Sequence, residues 1–159
     1  MQFVKDSFYM SLCDRLAKVN PARTIGDAPR PAVLACENER GDWLAAPETF
    51  CLRWLGEGTL PADALAAGWK SLRCVIGYRT RGTELACGED RGRLLSQLDG
   101  ELRAMLSPRS AGLKDCSTAP ETDLGALIVW TVPKFHDAND GVRGLERTVE
   151  TEILWREDA

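Results

Sequence analysis

Apolar residues recur at three- and four-residue spacing between Asp90 and Ser107 more regularly than anywhere else in the chain. Leu94, Leu98, Leu102 and Met105 or Leu106 form one stripe, widened by Leu95, while Arg91, Arg93, Gln97, Glu101 and Arg103 fall mainly on the remaining surface. That spacing marks an amphipathic helix, and such a helix needs an apolar surface to cover. Gln2 to Val19 carries a second helical pattern, with Val4, Phe8, Leu12, Leu16 and Val19 on one face and Cys13 beside it. It should end by Asn20, because Pro21 disfavours helical geometry in the residue before it.

Elsewhere the period falls to two. In Thr49 to Leu55, Phe50, Leu52 and Trp54 alternate with Cys51 and Arg53. Trp69 to Thr80 is the longest central strand, with Leu72, Cys74, Ile76 and Tyr78 on one face and Ser71, Arg73, Val75, Gly77 and Arg79 on the other, wet, face. Leu145 to Trp155 closes the chain: Leu145, Val149, Ile153 and Trp155 lie on one face with Arg147 and Thr151 between them, and Glu146, Thr148, Glu150, Glu152 and Leu154 lie opposite. Gly125 to Val132 is apolar on both faces, as in a buried strand. Pro31 to Glu37 reads as a short strand that forms a hairpin with Thr49 to Leu55 across the polar loop Asn38 to Glu48. Gly56 to Gly68 reads as a loop with room for one helical turn, and Pro108 to Asp123 and Pro133 to Gly144 as polar loops. The pattern predicts an α+β fold: a mostly antiparallel sheet covered by one long helix plus an N-terminal helix, in a single domain over residues 1–159.

Composition narrows the function classes. With 44% hydrophobic and 28% charged residues the chain is expected to fold rather than stay disordered. No apolar run approaches the ~20 residues of a membrane helix. The N-terminus lacks a basic segment followed by an apolar core, so it does not read as a secretory signal. A net charge of −4 does not favour general nucleic-acid binding. The six cysteines show no CxxC spacing, and there is one histidine, so a Cys/His zinc site has little support. Reduced thiols are expected in preference to a disulfide set.

Candidate chemistry is sparse. His136 with Asp137 and Asp140 offers a metal site or an acid–base pair, against the reading of a solvated loop rich in turn residues. Cys116, near Lys114, offers a nucleophile, against an ordinary loop cysteine. No GxSxG, P-loop, HExxH or dinucleotide fingerprint is present, and Gly56 to Gly58 lacks the helix and lysine of a phosphate loop. Glu89 and Asp90 read as charges that complement a helix N-terminus. Two surface features carry more. Glu146, Glu150 and Glu152 project from one face of the last strand, and Arg73, Arg79 and Arg81 lie on the wet face or end of the central strand. The glutamates fit a wet sheet face, a surface past which nucleic acid moves, or a surface facing a basic patch on a partner. The arginines fit pairs within one subunit or contacts between subunits.

The order of elements, with WKSLRCVIGYRT as the long strand, DRGRLLSQLDGELRAML as the strong helix, and GALIVWTVPKF and LERTVETEILW as closing strands, resembles the bacteriophage tail terminator (tail completion) proteins. The resemblance spans nearly the whole chain and is one of pattern. It implies a structural virion protein without enzymatic activity or cofactor, built as a homo-oligomeric ring, a hexamer in that family. Such a ring caps the tail tube, ends tube polymerisation and offers a surface for head-tail joining. Its implied partners are the tail tube protein and a head-completion or neck protein, with DNA passing through without specific binding and no membrane. Its implied place is the head-proximal end of the virion tail, reached from the host cytoplasm during assembly. On this resemblance Glu146, Glu150 and Glu152 are candidates for the lumen, because phosphate-neutralising cations there would hold the duplex. Arg73, Arg79 and Arg81 are candidates for inter-subunit contacts, with Trp54, Trp69 and Trp155 as further anchors or plain core residues. The alternative is an intracellular non-enzymatic binding or adaptor module on the same scaffold. A small enzyme using Cys116 or His136 is the third class.

Overall fold

The computed structural model describes residues 1–25, 28–29, 33–36 and 47–156. Its helices are α1 (Gln2–Val19), α2 (Ala62–Ala66) and α3 (Arg91–Met105). Its strands are β1 (Thr24–Ile25), β2 (Ala28–Pro29), β3 (Leu34–Cys36), β4 (Phe50–Glu57), β5 (Trp69–Thr80), β6 (Ser110–Asp115), β7 (Thr122–Trp130), β8 (Lys134–Phe135), β9 (Asn139–Gly141) and β10 (Gly144–Arg156). β1 and β2 form a small sheet of their own, and the other eight strands form one sheet with the path β3-β4-β5-β10-β7-β6. β8 and β9 also pair with β10. The segment from β7 to β9 therefore runs along β10 as one interrupted strand, and the turn at Val142 and Arg143 closes the hairpin.

The central pair is β5 and β10, antiparallel and in continuous register from Leu145 opposite Thr80 to Arg156 opposite Trp69. Side chains on one face of that pair, Leu72, Cys74, Ile76 and Tyr78 with Val149, Ile153 and Trp155, enter the core. α3 lays Leu95, Leu98, Leu102 and Met105 into the same core and packs on β5 and β10. The sheet curls into a half-barrel. α1 packs on β6 at one end of the strand order, on β3 at the other, and on α3.

α1 therefore occupies the gap between the two ends of the half-barrel, and its polar residues serve the sheet edges. The Ser7 hydroxyl donates to the Lys114 carbonyl (3.2 Å) and accepts from the Lys114 N–H (2.8 Å). Arg15 donates to the Ser110 carbonyl (2.6 Å), and Tyr9 donates to the Leu34 carbonyl (3.2 Å) on the opposite edge. Between these contacts Phe8, fully buried, meets Trp54 and Trp130 edge-on at 5.9 and 5.1 Å between ring centroids. Edge strands left open are templates for unwanted pairing, and covering them with a helix is one established solution.

The expected cover, one long helix over a mostly antiparallel sheet, is corrected. Strand exceeds helix, the sheet is mixed, and the cover is divided. A helix is about 10–12 Å across. Six strands at about 4.8 Å spacing are about 24 Å across, so one helix leaves half the concave face bare. The hairpin of Pro31 to Glu37 with Thr49 to Leu55 is corrected too, for β3 runs parallel to β4, with Leu34 opposite Phe50. The antiparallel partner of β4 is β5, reached through α2. Most of the loop Asn38 to Glu48 lies outside the described residues. Pro108 to Asp123 is not a loop throughout, since it holds β6 and the start of β7, fixed from outside by Ser7 and Arg15. β7 is not buried on both faces: Ala126, Ile128 and Trp130 are inside, while Leu127 is 65% exposed.

Candidate functional site

The register of β5 and β10 decides how the two sets of candidate charges relate. Glu146 lies opposite Arg79 and Glu152 opposite Arg73, so both pairs share the outer face within one subunit. Glu150 lies opposite Val75 on one side and Lys134 of β8 on the other. The row of glutamates is interleaved with cations, and the face is of mixed charge rather than acidic. A shallow depression of about 170 Å³ in this face is lined by Arg73, Thr131, Val132, Lys134, Glu150 and Glu152.

The six candidates differ sharply in setting. Arg73 and Arg81 are exposed, and the three glutamates are half-buried. Arg79 is only 2% exposed, and its guanidinium donates to the Arg143 carbonyl (3.3 Å). The face of β5 expected to be wet is thus largely covered, with Ser71, Val75 and Arg79 all buried. One carboxylate oxygen of Glu152 is buried and sits over Gly58, where an added Cβ would lie 1.7 Å from it. Glu150 keeps a side chain 42% exposed, with its Oε1 3.4 Å from His136 Nε2. Trp155 is a core residue, Trp54 is half-buried against Phe8, and Trp69 is half-buried at the start of β5.

The other sequence candidates do not converge. His136 faces Glu150, whereas Asp140 pairs with Arg91 at 2.8 Å, so the proposed His136, Asp137 and Asp140 set is split. The Cys116 thiol is pushed up, by burial first and then by Glu121 and Asp6, which outweigh the lowering by Lys114. Lys114 itself is tied to Glu121 at 2.8 Å. Asp90 accepts from the Thr83 N–H (2.8 Å) and hydroxyl (2.9 Å), and the backbone bond to Thr83 leads the causes that hold its carboxyl below the usual range. None of the six cysteines is joined in a disulfide. Among the described residues no group of three His, Cys, Asp or Glu side chains is placed to hold a metal ion.

Two polar clusters escaped the sequence reading. In the first, Arg23 on the connection after α1 pairs with Glu101 of α3 at 3.1 Å, and Asn20 donates to the same carboxylate at 2.6 Å. Arg23 also donates to the Glu48 carbonyl (2.9 Å), and the Glu48 carboxylate accepts from the Thr80 hydroxyl (2.9 Å). Arg23, Glu48, Glu101 and Thr80 are all buried, and burial is the main cause that lowers the Arg23 pKa. In the second, Tyr78 donates to Asp99, whose carboxylate also meets Arg147 at 3.1 Å, and Arg147 donates to the His136 carbonyl (2.7 Å). Burial, followed by the bond to Asp99, pushes the Tyr78 phenol far above its ordinary range. The only local signal for the first cluster was Glu101 one turn from Leu98 and two turns from Leu94, at the margin of the apolar stripe. Nothing near Arg23 or Glu48 marked them.

No protein-family model matches the chain, and no curated protein matches it in sequence.

Proposed function

We propose that the chain is a structural ring component of a phage-type tail, a tail terminator that caps the tail tube and presents a joining surface to the head side. The observation that carries this reading is the order and pairing of elements. An N-terminal helix and short strands precede the long β5; α3 follows it; then β7 and β10 close the chain, with β10 paired along the whole of β5. The mixed charge of the outer face supports it. A face with cations and carboxylates interleaved gives a passing duplex no continuous cationic track, and phosphate neutralisation by such a track is what would hold DNA. Glu150, whose side chain is 42% exposed, is the candidate for the lumen. Arg73 and Arg81, exposed at or near β5, are the candidates for contacts between subunits.

The test is tube growth. Tail tube protein polymerising in the presence of this chain should stop at short, ring-capped tubes, and Glu150→Lys should retain capping while impeding DNA passage. Tubes of unchanged length, with the chain left in solution, would overturn the assignment.

A further inference from the structure

α1 is tied to the outward edge of β6 at two places. Ser7 bonds both the N–H and the carbonyl of Lys114, and Arg15 donates to the Ser110 carbonyl. The Trp130 N–H bonds the Arg109 carbonyl, so Arg109 and Ala111 turn their main-chain groups to β7. By the two-residue period, Ser110, Gly112 and Lys114 turn theirs to α1. On the helix, Ser11 lies one turn from Ser7 and one turn from Arg15, on the same face. Ser11 and Gly112 thus hold the middle place between two made contacts. Neither the Ser11 hydroxyl nor the outward N–H and C=O of Gly112 has a hydrogen-bond partner among the described residues.

A cleft of about 290 Å³ opens at this place, and Ser11 and Gly112 both line it. Met10 and Ala111 give it an apolar wall, and Asp14 and Lys18 stand on its rim. The other charges of the cleft are committed, Lys114 to Glu121 and Arg15 to the Ser110 carbonyl. Asp14 and Lys18 are exposed, and neither forms an ion pair among the described residues. The cleft therefore offers a main-chain donor beside a main-chain acceptor, a hydroxyl, one uncommitted anion and one uncommitted cation.

We propose that this cleft binds a small zwitterion that carries a primary carboxamide, a molecule of the size and kind of free glutamine. The N–H and C=O of an extended residue lie side by side, and a carboxamide presents its own C=O and N–H in the same way. The two make the pair of bonds that a neighbouring strand would make with Gly112. The methylenes of the ligand lie against Met10 and Ala111. Its carboxylate goes to Lys18, whose side chain leans back along α1 toward the cleft, and its ammonium goes to Asp14. A carboxylate in place of the carboxamide has no proton to give the Gly112 carbonyl, so the site discriminates against it. The proposal stands independently of the tail assignment.

The test is an NMR titration of the isotope-labelled full chain with L-glutamine, read at the Gly112 amide. Saturable movement of that resonance, with a Kd of about 1 mM, is expected for a ligand of this size. L-Glutamate should bind at least about tenfold more weakly. Ser11→Leu, which fills the cleft, should abolish the movement. Lys18→Gln and Asp14→Asn, at exposed positions that leave the fold intact, should each weaken binding about three- to fivefold, the scale of an exposed ion pair. No movement at Gly112, equal binding of glutamate, or unchanged binding in both charge variants would overturn the proposal. So would equal binding of N-acetylglutamine methylamide, which lacks both charges, since it would assign the cleft to a side chain of a partner protein.

Discussion

Replacing Phe8 with alanine tests whether α1 is an integral part of the half-barrel. The ring is fully buried and touches two tryptophans that belong to different strands, Trp54 on β4 and Trp130 on β7. Truncating a buried phenylalanine costs about 3–5 kcal/mol through lost transfer energy and the cavity left behind. Each edge-to-face pair adds ~0.5–1.5 kcal/mol, part of which that range already contains. A loss of about 4 kcal/mol is expected, a large part of the ~5–15 kcal/mol of a typical domain. At ~2–4 °C per kcal/mol for a chain of this size, Tm should fall by about 8–16 °C. Urea denaturation followed by tryptophan fluorescence gives the free energy, and amide exchange at Lys114 reports whether the β6 edge loosens with α1. Leu127→Ala, at an exposed site, is the control and should stay within about ±0.5 kcal/mol. A loss under about 1 kcal/mol for Phe8→Ala, with unchanged exchange in β6, would show that α1 is an appendage.

Three further outcomes are expected. Arg23→Met alone should destabilise by about 3–5 kcal/mol, because it strands the buried Glu101 carboxylate, while Arg23→Met with Glu101→Leu should recover much of that loss; equal losses in urea titrations of both variants would contradict the pairing. Asp90 has a depressed folded pKa, so its bonds to Thr83 contribute above the ordinary aspartate range and fade as pH falls through the folded value; Asp90→Asn should flatten the pH dependence of Tm in that acid window alone. Cys116 should react with iodoacetamide near neutral pH more slowly than a thiol in a short unstructured peptide, because its pKa is raised; a faster rate would revive the nucleophile reading.

The strands and helices with strong local periods were legible. The α1 pattern matched its observed span, Gln2–Val19, and the core face of β5 held Leu72, Cys74, Ile76 and Tyr78 as the alternation required. What was not legible depends on partners distant in sequence. β6, SAGLKD, has small residues and a glycine, and little in it favours a strand. Its edge is completed by Ser7 and Arg15, about a hundred positions earlier. The parallel pairing of β3 with β4 leaves no mark in either alternation, because alternation records faces and not strand direction. Arg79 alternated with Tyr78 like a solvent-facing residue, and only the tertiary structure buries it. The same holds for the candidate surface: alternation put the glutamates of β10 on one face, but only the register of β5 and β8 showed that each has a cation or an apolar residue beside it.

The most direct test of the ring assignment is the mass of the purified chain in solution by light scattering, with and without a tail tube protein, paired with negative-stain images. Closed rings of one size, formed alone or on the tube end, are the predicted result. A monomer that stays monomeric and ignores the tube protein would contradict it.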